Sequence, residues 1–295
     1  MLTRVERQYS QVGAFQQKVK DYKALVKFRL NLTVVFSAVM AFLIAGGANW
    51  LGALILGLGG FLVTGAANAL NQVLESDYDA QMKRTADRPL ASGRMKASEA
   101  VLMSGFMSLF GISLLALFNP WTALLGMVSM LTYAFVYTPL KRMTPFSVAV
   151  GAVPGALPVM IGCVAAQGEL TTLAFALFAV QFFWQFPHFW AIAWLAHEDY
   201  HKAGFVFLPN NEIERNSLVG QRSILTALLL VPCVVWVSSV LGAGWIAALS
   251  LGLLSLLYAS FGWRFSNAPS RKTALALMFS SFFYLPIVLT VLLLS

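Results

Sequence analysis

The chain has 295 residues, of which 59% are hydrophobic and only 11% are charged, and its formal net charge is +8. Its mean hydropathy of +0.74 lies outside the range of soluble globular proteins, so the composition excludes an ordinary soluble domain. The apolar runs are long and unbroken, which also excludes a transmembrane barrel of short alternating strands. The composition therefore predicts an all-α integral membrane protein.

Residues 1–29 form a polar, basic segment that precedes the first apolar run. The segment has neither the hydrophobic core nor the small-residue cleavage site of a signal peptide, so we do not expect it to be cleaved. We expect it to lie in the cytoplasm. Two interpretations stay open: a basic helix that lies on anionic lipid, and a solvated tail that follows the topology rule. Residues 30–295 are expected to form one transmembrane domain.

Nine apolar stretches follow along the chain, and most are near the ~20 residues that a helix needs to cross the hydrocarbon core. They predict a bundle of nine transmembrane helices. The stretches cover residues 30–47, 51–74, 98–118, 121–139, 146–166, 171–195, 222–241, 244–264 and 272–294.

Charge indicates the orientation of this bundle. All 20 Lys and Arg lie in the N-terminal segment or in alternate loops on the same side of the predicted bundle. The short links on the other side, such as residues 47–50 and 242–244, carry no Lys or Arg. Because Lys and Arg collect on the cytoplasmic side, we expect the N-terminus in the cytoplasm and the C-terminus outside. The two long polar loops, residues 75–97 and 196–221, then share one side. The active-site cavity is therefore expected to face the cytoplasm.

The first polar cluster follows the second apolar stretch. Asn71, Glu75 and Asp79 recur every four residues, which places them on one face of a helix. Their oxygens suit Mg²⁺, and the guanidinium groups that follow suit phosphate. One ion cannot bind all three across ~12 Å of helix, so either the helix unwinds near Glu75 or more than one Mg²⁺ bridges to a phosphate. A plainer alternative is an amphipathic helix end with charge pairs such as Asp79 with Lys83.

The second cluster follows the fourth apolar stretch in the sequence YTPLKR. Tyr137, Lys141 and Arg142 place a phenol and two cations at the cytoplasmic interface. An aromatic belt followed by positive-inside residues produces the same pattern, so this cluster by itself does not decide between a site and a helix end.

The third cluster lies in the sixth apolar stretch, where Pro187 precedes His188. An intramembrane histidine is costly without a partner. His188 is either a hydrogen-bonded packing residue or, beside aromatic residues such as Trp190, a residue that faces or ligates a large planar ligand.

These residues resemble the intramembrane polyprenyltransferase superfamily. YTPLKR is similar to the second, basic motif of that superfamily. Within it, NQVLESDYDAQMKRTADRPL and PHFWAIA are most similar to the branch of protoheme farnesyltransferases (heme O synthases), and the resemblance covers residues 22–290. The first signature of the superfamily consists of Asn, an acid, Asp, Arg-Ser/Thr, Arg and Gly. In this chain those positions are Asn71, Glu75, Asp79, Arg84-Thr85, Arg88 and Gly93.

The chain departs from the superfamily pattern at a few positions. Glu75 stands where many members have Asp, Tyr78 replaces an aliphatic residue, and Phe28 stands where Lys-Pro-Arg is common. The second acidic motif of quinone-type members is reduced to Asp199 with Glu198.

The resemblance implies transfer of a farnesyl group from farnesyl diphosphate to a vinyl group of heme B, giving heme O, with Mg²⁺ as cofactor, in a bacterial inner membrane. Besides these substrates and membrane lipid, heme A synthase or oxidase assembly factors are candidate partners, and no nucleic acid is expected. The implied metal ligands are Asn71, Glu75, Asp79 and Asp199. The implied catalytic residues are Asn71, Glu75, Asp79 and Lys141. The implied diphosphate-binding residues are Lys83, Arg84, Arg88, Tyr137 and Arg142, and the implied heme-binding residues are His188 and Trp190.

Two alternatives stay open from the sequence. One is a prenyltransferase for a hydroxybenzoate or quinone precursor, against which the reduced acidic motif argues. The other is a transporter or membrane heme carrier, for which kinked spans with polar residues would also serve. The position of the acidic and basic cluster at one membrane face, rather than at mid-membrane, disfavours a transporter.

Overall fold

The computed structural model describes residues 4–295, with the side chains of residue 13 and of residues 15–295. Every regular element in this part of the chain is helical, which confirms the all-α class. A short π-helical segment over Thr132–Tyr137 continues α5 into α6. The α-helices are α1 (Arg4–Leu25), α2 (Phe28–Ile44), α3 (Trp50–Asp79), α4 (Ala97–Ala116), α5 (Pro120–Leu131), α6 (Thr138–Leu140), α7 (Ser147–Gln167), α8 (Thr172–Leu195), α9 (His197–Lys202), α10 (Glu212–Leu241), α11 (Trp245–Asn267) and α12 (Arg271–Leu294).

The chain is an integral membrane protein, although the number of nine spans is not confirmed. Within the described residues, seven helices are individually long and apolar enough to cross a membrane. An eighth span results if Phe15–Leu25 and α2 are joined across a bend of 47°. α8 fills the predicted sixth span but is not among the seven. Its apolar run is interrupted by polar residues, including Gln181 and Gln185, which lowers its mean hydropathy.

α3 and α10 extend further into the predicted cytoplasmic side than the sequence indicated. α3 continues to Asp79 rather than ending at residue 74, and α10 begins at Glu212 rather than at residue 222. Asn71, Glu75 and Asp79 therefore lie on one uninterrupted helix. The alternative in which the helix unwinds near Glu75 is wrong, because backbone hydrogen bonding continues past that residue.

Small residues allow α3 and α7 to approach their neighbours closely. A Cβ added at Gly162 of α7 would collide with the carbonyl oxygen of Ala38 in α2, and one added at Gly111 of α4 would lie 3.0 Å from the carbonyl oxygen of Gly59 in α3. Close backbone contacts of this kind hold membrane helices together where no hydrophobic force acts between them. They set the position of α3, whose last two turns carry the polar cluster.

Candidate active site

The end of α3 presents three polar side chains to the interior of the bundle. Asn71, Glu75 and Asp79 are buried, with relative exposures of 1%, 4% and 1%. Three buried polar side chains on successive turns are costly at this depth unless other groups compensate them. The structure therefore supports the predicted common face and shows where the compensating groups come from.

Glu75 is paired with Lys141, which follows α6. Lys141 Nζ lies 3.0 Å from Glu75 Oε1 and donates to Glu75 Oε2 at 3.2 Å. Asn71 Nδ2 donates to Glu75 Oε2 at 2.9 Å and to Thr138 Oγ1 at 3.0 Å. These contacts join the first and second sequence clusters, which are 66 residues apart along the chain.

Asp79 is paired with Arg88 in the loop after α3. Arg88 Nη1 donates to Asp79 Oδ2 at 2.6 Å, and Thr85 Oγ1 donates to the carbonyl oxygen of Asp79 at 2.8 Å. The loop thus folds back over the end of α3 and brings Arg88, a predicted diphosphate-binding residue, against a predicted metal ligand.

The π-helical segment places two tyrosines beside this cluster. Tyr133 and Tyr137 have ring centroids 5.6 Å apart, and Lys141 Nζ lies 4.6 Å from the centroid of the Tyr137 ring. Thr138 Oγ1 donates to the carbonyl oxygen of Tyr133 at 2.9 Å, which satisfies an acceptor within the altered helical repeat. π-helical turns are rare and occur often at functional sites. The sequence identified Tyr137 but not Tyr133 or Thr138.

Lys27, between α1 and α2, is the other site residue that sequence reasoning missed. Its Nζ donates to Asn71 Oδ1 at 3.0 Å and to the Tyr133 hydroxyl at 3.2 Å. The sequence placed Lys27 in the basic cytoplasmic segment, because nothing local distinguishes it from the other cations there.

The remaining predicted diphosphate-binding residues lie outside the buried cluster. Lys83 is exposed. Arg84 Nη2 donates to the Tyr200 hydroxyl at 2.8 Å, and Arg142 donates to the Tyr78 hydroxyl. Burial raises the pKa of Tyr200, so its phenol stays neutral as the acceptor for Arg84.

The predicted heme-binding residues are on α8. His188 Nδ1 lies 2.8 Å from Ser281 Oγ of α12, and its ring stacks on Trp184 at 6.2 Å between centroids. Trp190 is buried and its ring lies 5.3 Å from that of Phe186. Side chains of α8 form hydrogen bonds with α7, α10 and α12 rather than with Asn71, Glu75 or Asp79.

The donor atoms of the cluster fit Mg²⁺. Asp79 Oδ1 is buried and accepts no hydrogen bond, and the ion-pair contact of Glu75 Oε1 is with Lys141, so the two carboxylates offer oxygens of the kind that a hard cation prefers. Across the described residues, no three His, Cys, Asp or Glu side chains are grouped as a complete metal site. The structure thus does not unite Asp199, which is half-buried in α9, with Glu75 and Asp79. The remaining ligands would have to come from amide, water or phosphate oxygens.

Comparisons with known proteins agree over most of the chain. Residues 32–284 match the UbiA prenyltransferase family. The protoheme IX farnesyltransferase of Cytophaga hutchinsonii is 41% identical over 90% of this chain and 94% of the relative. That of Koribacter versatilis is 36% identical over 94% of this chain and 93% of the relative.

Solved structures share the fold at low sequence identity. A digeranylgeranylglyceryl phosphate synthase has a TM-score of 0.74 at 19% identity and covers 94% of this chain and 98% of its own. A UbiA homolog from Archaeoglobus fulgidus, bound to GPP and Mg²⁺, has a TM-score of 0.61 at 16% identity and covers 92% of this chain and 99% of its own.

Proposed function

The chain belongs to the UbiA prenyltransferase family, and from that premise we propose that it transfers the farnesyl group of farnesyl diphosphate to a vinyl group of heme B, giving heme O. Its curated relatives are protoheme IX farnesyltransferases that align over nearly their whole length. The observation that carries the proposal is the buried cluster of Glu75 and Asp79 with Lys141 and Arg88.

The chemistry needs a stabilised leaving group. As the allylic C–O bond of farnesyl diphosphate breaks, negative charge builds up on pyrophosphate. Lys141 and Arg88 are held in place by carboxylates before substrate arrives, so little reorganisation is needed when that charge appears. Arg84 and Arg142, at the rim, would meet the outer phosphate oxygens.

Asn71, Glu75 and Asp79 would hold Mg²⁺ together with the diphosphate. Bound there, the metal supplies Lewis-acid neutralisation of phosphate charge. Two UbiA homolog structures were solved with Mg²⁺ and a prenyl diphosphate, GPP in one and DMAPP in the other, which supports metal-assisted prenyl transfer here. With Asp199 outside the cluster, oxygens of the substrate phosphates rather than a second set of protein carboxylates would complete the binding of the metal.

The allylic carbon becomes electron-poor in the same step. The rings of Tyr133 and Tyr137 flank the cluster, and aromatic faces attract cations. The farnesyl carbon then bonds to the terminal vinyl carbon of heme B, and water adds to the resulting cation as a hydroxyl group with loss of a proton. Apolar surroundings limit earlier capture of the cation by water.

The tautomer of His188 supports a role in heme binding. Ser281 Oγ donates to the carbonyl oxygen of Met278 at 2.5 Å, so its single proton is already used. With the hydroxyl proton placed on that carbonyl, His188 Nδ1 is assigned as the donor to Ser281 Oγ, and the lone pair of Nε2 is then available. We propose that this nitrogen faces heme iron and that Trp190 helps to shape the surrounding aromatic surface.

We further propose that the chain lies in a bacterial inner membrane, with the N-terminus in the cytoplasm and the C-terminus outside. The distribution of its Lys and Arg supports this orientation.

One assay tests the proposed function against its alternatives. The purified protein is incubated with farnesyl diphosphate, Mg²⁺ and equal amounts of heme B and 4-hydroxybenzoate, and the products are identified by mass spectrometry. We expect heme that has gained farnesyl and a hydroxyl group, release of pyrophosphate, and a loss of at least about 10²-fold in rate with EDTA. Farnesylated 4-hydroxybenzoate would favour a quinone-type enzyme. Heme binding without pyrophosphate release would favour a carrier.

A spectroscopic comparison tests His188. We expect His188→Ala to change the heme absorption spectrum and to weaken heme binding by about tenfold, because an iron ligand is lost. Phe279→Ala, on the neighbouring face of α12, is the control for loss of an aromatic side chain. A spectrum and a heme affinity identical to those of the wild type would reduce His188 to a packing residue.

A further inference from the structure

Lys27 occupies an unusual backbone position at the break between α1 and α2. Its φ of 48° and ψ of 56° place it in the left-handed region, and it is the only residue other than glycine with positive φ in the described chain. Side chains rarely adopt this conformation, because the Cβ is crowded there. Strained residues of this kind persist where surrounding contacts hold them, often at functional sites.

Helix α3 provides the contacts that hold this break. Gln72 Nε2 donates to the carbonyl oxygens of Ala24 and Leu25 at 2.9 and 2.8 Å, and Asn68 Nδ2 donates to that of Val26 at 3.3 Å. Buried amides thereby satisfy the carbonyls of Leu25 and Val26 at the break and give that of Ala24, which also accepts from the Lys27 N–H, a second donor. The helix that carries Asn71, Glu75 and Asp79 therefore also fixes the direction in which Lys27 points.

The charges of the cluster do not balance without a ligand. Lys141 is paired with Glu75, and Arg88 with Asp79. Lys27 Nζ has two partners, Asn71 Oδ1 and the Tyr133 hydroxyl, and both are neutral. Among the side chains that the structure describes, no carboxylate is within ion-pair distance of it. Lys27 is half-buried, and an anion would stabilise an ammonium group that is partly removed from water without a charge partner.

We infer that Lys27 is a diphosphate-binding residue and that substrate phosphate is its missing counter-ion. The inference rests on the proposed function, whose diphosphate site it extends by a cation from a separate segment of the chain. In the absence of substrate, Lys27 donates to Asn71 Oδ1 and so fixes the orientation of that amide. A phosphate oxygen would replace either Asn71 Oδ1 or the Tyr133 hydroxyl as an acceptor from Lys27 Nζ.

Binding of inorganic pyrophosphate tests this role without requiring catalysis. With Mg²⁺ present, we expect Lys27→Met to raise the Kd for pyrophosphate, and the KM for farnesyl diphosphate, by about tenfold or more, with the KM for heme unchanged. Lys27→Arg should recover most of the affinity because it restores the cation. Lys20→Met, at an exposed position of α1, should match the wild type.

Thermal unfolding separates a binding role from a structural one. Lys27→Met loses two hydrogen bonds but also removes an ammonium group without a charge partner, so we expect the Tm of the ligand-free protein to change little, while the rise in Tm on adding Mg²⁺ and pyrophosphate shrinks. A lowered ligand-free Tm with an unchanged pyrophosphate Kd would overturn the inference in favour of a structural role. An unchanged pyrophosphate Kd with an unchanged Tm would also overturn it.

The proposed function can fail independently of this inference. If the wild type binds Mg²⁺ and pyrophosphate but does not farnesylate heme, the proposed acceptor, heme B, is wrong. The comparison of wild type with Lys27→Met still shows whether Lys27 binds diphosphate. If the wild type does not bind pyrophosphate with Mg²⁺, both the diphosphate site and the role of Lys27 are excluded.

Discussion

Asp79→Asn is expected to lower kcat by about 10²–10³-fold while the protein still folds and inserts. The substitution keeps the shape of the side chain, and the backbone carbonyl that accepts from Thr85 is unchanged. It removes the negative charge that faces Arg88 and replaces one carboxylate oxygen by an amide nitrogen, which does not bind Mg²⁺. The measurement is farnesyl transfer at saturating Mg²⁺, with size-exclusion chromatography to verify folding.

Asp77 provides a matched control on the same turn of α3. Its side chain is exposed and lies off the buried face. Asp77→Asn, which makes the same chemical change, should alter kcat by less than about twofold. Near-normal transfer by Asp79→Asn at saturating Mg²⁺ would remove Asp79 from the metal site.

Lys141→Met is expected to produce a loss of similar size, about 10²–10³-fold in kcat/KM. The substitution removes a cation that contacts both oxygens of Glu75 and leaves that buried carboxylate without its charge partner. Methionine retains much of the side-chain volume beside the Tyr137 ring. We expect the pyrophosphate Kd to rise as well, because the leaving group and the ground-state diphosphate use the same cation.

Two comparisons interpret the result at Lys141. Lys96→Met, at an exposed position before α4, controls for loss of one surface cation and should be neutral. Lys83→Met tests a predicted diphosphate-binding residue that the structure leaves exposed, and its expected loss is below about tenfold. A loss at Lys83 that equals the loss at Lys141 would show that the loop after α3 moves onto the substrate.

The predictable part of the site is the part encoded by local spacing. A repeat of four residues in Asn71, Glu75 and Asp79 defines one helical face regardless of what packs against it. The basic residues after α3 and α6 were found because motif resemblance marked them individually. The bundle class followed from composition, since only helices satisfy their own backbone groups in such long apolar runs.

The parts that could not be predicted depend on contacts between distant segments. Lys27 reaches Asn71 across 44 residues and Tyr133 across 106 residues, and neither pairing leaves a periodic signal. The π-helical segment around Tyr133 comes from a local change in helical hydrogen bonding that the pattern of apolar residues does not record. The departure at Phe28 from the pattern of the superfamily that the sequence resembles was the one local feature at the break.

The count of nine spans stays unconfirmed for a related reason. α8 contains polar residues, so a criterion of length and mean hydropathy does not count it as a span even though it packs within the bundle. Gln185 Nε2, for example, donates to the carbonyl oxygen of Ala152 in α7 at 2.8 Å, a contact that compensates its polarity inside the protein.

A structure of the protein with Mn²⁺ and a farnesyl diphosphate analogue that resists ionisation would test the central claim most directly. We expect the Mn²⁺ anomalous signal beside Glu75 and Asp79, with the phosphates in contact with Lys141, Arg88 and Lys27. Metal and phosphate bound elsewhere, with Glu75 and Asp79 still paired only to Lys141 and Arg88, would contradict the proposed site.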